Sequence, residues 1–170
     1  SYLRVGRGHV PLHRYIDSES EMMVAVCGYD DRHTINIALM YRYIISYEPR
    51  NFKGRLEEFP KTLEYGKRVD TLRKRHTMNL WDVEFLGKSG VNVTVNKRPF
   101  EEYSVLVNLN SSKRTVVVVN DGHDECIKTQ VEIEGSSSKM ELATPEHPDP
   151  VYTDGTCDIP PLSAAIFMEK

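Results

Sequence analysis

Cysteine is scarce: the chain has three, Cys27, Cys126 and Cys157, and no CxxC pair. The sequence therefore offers neither a zinc-knuckle spacing nor a dithiol redox motif. Tryptophan is scarcer still, with Trp81 alone. No apolar run approaches the roughly 18 residues that a membrane-spanning helix requires, so no membrane partner is expected. No basic-then-apolar leader opens the chain, and its first residue is Ser1 rather than Met, so we expect a mature chain or a piece of a longer one. Cytoplasm, bacterial periplasm and secretion all stay open. A basic excess is also missing. The net charge is −3, which removes the electrostatic basis of a dedicated nucleic-acid binder. There is no Gly-rich phosphate loop, no GxSxG elbow and no Cys/His nucleophile pattern. No cofactor is expected. His9 and His13 are four apart, but Pro11 separates them and no third ligand follows, so a metal site is not expected either.

What is present is an ordinary globular composition: 170 residues, 39% hydrophobic and 28% charged. A chain of this length buries a core without a disulfide or metal staple. Its charge is uneven. Residues 1–86 hold 14 Lys and Arg against 12 Asp and Glu, a balance of +2, whereas residues 87–170 hold 8 against 13, a balance of −5. The hydrophobic pattern changes at the same place. Two units are expected, 1–86 and 91–170, joined near Gly87-Lys88-Ser89-Gly90.

The first unit reads as α/β. Met22–Cys27 is a short continuous apolar run, as in a buried strand, with a helical segment as the competing reading. Asp30 or Asp31 can cap a helix running through Ile35, Ala38, Leu39 and Met40, apolar on more than one face. Tyr43–Tyr47 reads as a second strand. Pro60 opens a strong helix whose stripe Tyr65, Val69, Leu72, His76 and Leu80 predicts an end near Trp81. The second unit reads as an antiparallel all-β sandwich. Its strands are expected at Tyr103–Leu109, Thr115–Asn120, Ile127–Glu134, residues 139–143 and Ser163–Met168, with turns at Asn110–Arg114, Gly135–Ser138 and Asp154-Gly155. The order strand–helix–strand–helix, then strands only, is that of the last units of a barrel followed by an appended sandwich. A self-contained α+β domain is the alternative.

Tyr41-Arg42-Tyr43-Ile44-Ile45-Ser46-Tyr47-Glu48-Pro49, Phe52-Lys53-Gly54 and the stretch Leu80–Phe85 resemble the end of the catalytic (β/α)8 barrel in bacterial glycoside hydrolases of the α-galactosidase and α-amylase type. Val116–Asn120 and Ile159–Ile166 resemble strands of the β-sandwich that follows that barrel. The resemblance covers about residues 22–170 and is one of pattern. It implies a glycosidase (a hydrolase of carbohydrate metabolism), with carbohydrate and the remainder of the catalytic barrel as partners and with the sandwich bracing the barrel. It also implies that the catalytic carboxylate pair lies on earlier strands, upstream of Ser1. The alternative is a noncatalytic carbohydrate-binding or structural β-sandwich module, although Tyr103, Tyr152 and Phe167 are too scattered for an obvious aromatic binding face.

The candidate site residues follow from strand ends. Asp30, Asp31 and Arg32 stand where the first strand hands over to a helix, on the face where barrels bind substrate. They can hydrogen-bond sugar hydroxyls, or they can simply cap the helix. Tyr47, Glu48 and Phe52, with Asn51 and Lys53, follow the second strand. They can form a sugar subsite, or a solvated loop pinned by its aromatics. Trp81 suits the junction between the units better than a sugar platform. Cys126 and Cys157 can pair in an exported protein or stay as free thiols.

Overall fold

The computed structural model describes residues 23–26, 30–47, 56–76, 78, 83–87, 90–99, 106–110, 113–137 and 139–170. They form mostly antiparallel β-sheet with two helices. Strand β1 (Met23–Val26), helix α1 (Arg32–Tyr41) and strand β2 (Ile44–Tyr47) come first. A single 3-10 turn (Leu56–Glu58) leads to helix α2 (Pro60–Arg75). Ten strands follow: β3 (Val83–Gly87), β4 (Val91–Val95), β5 (Arg98–Pro99), β6 (Leu106–Asn110), β7 (Lys113–Asn120), β8 (Ile127–Ile133), β9 (Met140–Ala143), β10 (Val151–Thr153), β11 (Thr156–Ile159) and β12 (Ser163–Glu169).

β1 and β2 pair in parallel, with Met23 opposite Ile44 and Val26 opposite Tyr47. The other strands make two antiparallel sheets, one of six in the order β10-β9-β12-β7-β6-β3 and one of four in the order β11-β8-β4-β5. The expected boundary at residue 86 falls inside β3, which pairs with β6 in the six-stranded sheet.

The apolar run Val116–Val119 explains the layering. Alternate side chains of a strand point to opposite faces. Val117 and Val119 join a cluster with Ile35, Leu39, Val69 and Leu72 of the helices, whereas Val116 and Val118 join Val93, Val131 and Ile159 of the four-stranded sheet. β12 divides in the same way, with Ala164, Ile166 and Met168 towards the helices and Ala165 and Phe167 towards the other sheet. The two central strands are thus covered on both faces, and that is why they carry no polar alternation. β8 is covered on one side only: Thr129, Val131 and Ile133 are buried while Lys128 and Glu132 are exposed.

The helix ends have local causes. α1 is apolar all round and buried from Ile35 to Tyr41. It stops at Arg42, in the left-handed region at φ 60°, and the Tyr43 N–H returns to Ala38 O at 2.9 Å. Arg73 of α2 donates to Ala38 O and to Tyr43 O, placing a cation on carbonyls at the helix C-terminus. α2 begins at Pro60, as expected, but ends at Arg75 rather than near Trp81. The Met78 N–H bonds Arg73 O at 2.9 Å, closing the last turn six residues to one, and buried Met78 takes the apolar position past the end. The stripe Tyr65, Val69, Leu72 and His76 runs on in sequence to Leu80, but the chain leaves the helix after Arg75. His76 is half-buried, and its Nε2 lies 2.7 Å from Pro148 O. Trp81, Tyr103 and Cys27 lie outside the described residues. Cys126 and Cys157 are free thiols, the first exposed. Burial pushes the Cys157 thiol up to about 11.

Candidate functional site

The most polar cluster near the C-terminal end of β1 is assembled from four separate stretches of chain. The first turn of α1 brings Asp30, Asp31, Arg32 and His33. Asp30 holds Arg32 through two contacts, Nε to Oδ1 at 2.7 Å and Nη2 to Oδ2 at 2.6 Å. That guanidinium keeps the Asp30 carboxyl below its ordinary range. Asp31 takes the N-cap position of α1, but its side chain makes no capping hydrogen bond. Its backbone N–H donates instead to Thr62 Oγ1 of α2 at 3.1 Å. The carboxylates therefore do not act as the simple caps that the Asp-Asp pair suggests.

The second stretch is the loop after β7. Asn120 is buried; its Nδ2 donates to Glu125 O at 2.8 Å and Ile159 O at 3.0 Å, and its Oδ1 accepts from Gly122 N–H at 2.9 Å. These bonds fold the loop so that Asp121 Oδ1 meets His33 Nδ1 of α1 within hydrogen-bond distance. The third is the β9–β10 loop. Reciprocal bonds between Thr144 and His147, at 3.0 and 3.1 Å, tighten it. It presents Glu146, whose two oxygens accept from Ser163 Oγ at 3.1 and 3.0 Å. The fourth is α2, which brings Tyr65. Its hydroxyl donates to Asn36 Oδ1, and burial raises the phenol above its ordinary range, so it stays neutral.

Each carboxylate of the cluster has a partner. Asp30 is occupied by Arg32, Asp121 by His33 and Glu146 by Ser163. Ser163 is only 2% exposed, and no imidazole reaches its hydroxyl among the described residues, so the arrangement is not that of an activated serine nucleophile. Among the described residues of this cluster, Asp30, Asp121 and Glu146 are each engaged by a partner, whereas glycoside hydrolysis uses two carboxylates facing the substrate across ~5–9 Å. Among the described residues, no group of three or more His, Cys, Asp or Glu is gathered as for a metal ion. The cluster can hold α1, α2, β7 and β12 in register, and its rim, Asp30 with Arg32, can offer hydrogen bonds to a polyol.

Of the residues expected from the sequence, Asp30, Asp31 and Arg32 fall together at this rim. Tyr47 does not point into it. Tyr47 is half-buried against α2, where its hydroxyl fills the space beside Gly66, and burial raises its phenol. Glu48 and Phe52 lie outside the described residues. The sequence reading missed His33, Asn36, Tyr65, Asp121, Glu146 and Ser163. His33 and Asp121 are 88 residues apart and Tyr65 and Asn36 are 29 apart, so no local spacing announces them. The one usable signal was polar residues at strand ends, such as Asn120-Asp121 after four valines and Ser163 before an apolar strand.

Comparison with models of protein families, with curated proteins and with solved structures found no match to this chain. No helix among the described residues is long and apolar enough to cross a membrane.

Proposed function

We propose that these residues are the C-terminal part of a carbohydrate-active glycoside hydrolase. In this reading β1-α1-β2-α2 are the last two strand–helix units of a (β/α)8 barrel. The six- and four-stranded sheets form a β-sandwich that braces it. The catalytic carboxylates come from other barrel strands, and Asp30 with Arg32 borders the substrate on the barrel's active face.

One observation carries the reading: β1 and β2 pair in parallel and with no other described strand. Parallel sheets are stable when extended on both sides and covered by helices. A two-stranded parallel ribbon, with a crossover helix buried on nearly every face, is the local geometry of a larger parallel sheet. The resemblance of Tyr41–Gly54 to the end of such barrels adds the chemistry. That Asp30 is held by Arg32, Asp121 by His33 and Glu146 by Ser163 favours a supporting role for these residues, and it also keeps a noncatalytic carbohydrate-binding module as the second reading.

The test is to express the complete open reading frame that encodes residues 1–170 and to assay it on a panel of α- and β-aryl glycosides and oligosaccharides. Turnover that depends on carboxylates outside residues 1–170 is expected. A folded product that binds sugars without turning any over would overturn the hydrolase reading in favour of the binding module.

A further inference from the structure

We draw no further inference here: the strongest candidate, the His33–Asp121 side-chain contact where the loop after β7 meets the first turn of α1, belongs to the site already described, and among the described residues no second observation there points to a ligand.

Discussion

The Tyr65 hydroxyl donates to Asn36 Oδ1 at 2.6 Å, joining α2 to α1 through a buried side-chain contact. Asn36 is fully buried, and its Nδ2 has no hydrogen-bond partner among the described residues. The two helices are thus registered against each other by one phenol.

Tyr65→Phe removes that phenol without opening a cavity. It leaves Asn36 Oδ1 buried and unsatisfied, a loss of about 1–3 kcal/mol. Urea unfolding should show that loss with an unchanged slope. A stability within experimental error of the parent would mean that the contact does not hold the helices in register.

Tyr47 and Gly66 form the second contact between strand and helix. A Cβ on Gly66 would run into the Tyr47 hydroxyl and lie 3.0 Å from its Cζ. Glycine inside a helix normally costs about 1 kcal/mol against alanine. Gly66→Ala should nevertheless destabilise the parent chain, and should stabilise a Tyr47→Ala chain by about 1 kcal/mol. The double-mutant cycle measures the coupling directly. Equal stabilisation in both backgrounds would place the Tyr47 ring away from α2 and return it to the list of sugar-stacking candidates.

Glu169 gives a pH dependence with a defined sign. Arg114 grips its carboxylate through Nε and Nη2, both at 2.8 Å, and holds it below the ordinary range. A carboxyl depressed in the folded state stabilises above its unfolded value, about 4.3, and that contribution disappears as pH falls through the folded value. Glu169→Gln should therefore cost about 0.5–1 kcal/mol at pH 7, the scale of a partly exposed pair. Its deficit should shrink as pH drops below about 4.3. A deficit that is constant down to pH 2 would show that packing at the end of β12, and not the ion pair, is what the substitution removes.

The secondary structure was legible where periodicity alone decides it. β8 alternates in sequence as it does in burial, and α1 and α2 begin where Asp31 and Pro60 place them. The central strands were legible as strands, but their double coverage was not, because a continuous apolar run says only that both faces are buried and not by what. β4 was overlooked although Val91, Val93 and Val95 alternate with Asn92 and Thr94. The end of α2 was misplaced because the four-and-three stripe continues in the sequence through His76 to Leu80, and the turn that closes the helix, Met78 N–H to Arg73 O, leaves no break in that spacing. At the candidate site the rim residues Asp30, Asp31 and Arg32 were legible as a strand-to-helix handover. Their partners Asp121, Glu146 and Ser163 were not, since long-range contacts depend on the sheet order and leave no local trace.

The proposal that these residues support a glycosidase without supplying its carboxylates is tested most directly by assaying the 170-residue chain itself on aryl glycosides, beside Asp30→Asn. The account predicts no turnover above the uncatalysed rate by either protein, because Asp30 is paired with Arg32 and the reading places the catalytic pair on other barrel strands. Turnover by the parent chain that Asp30→Asn abolishes would contradict it and place the reaction within these residues.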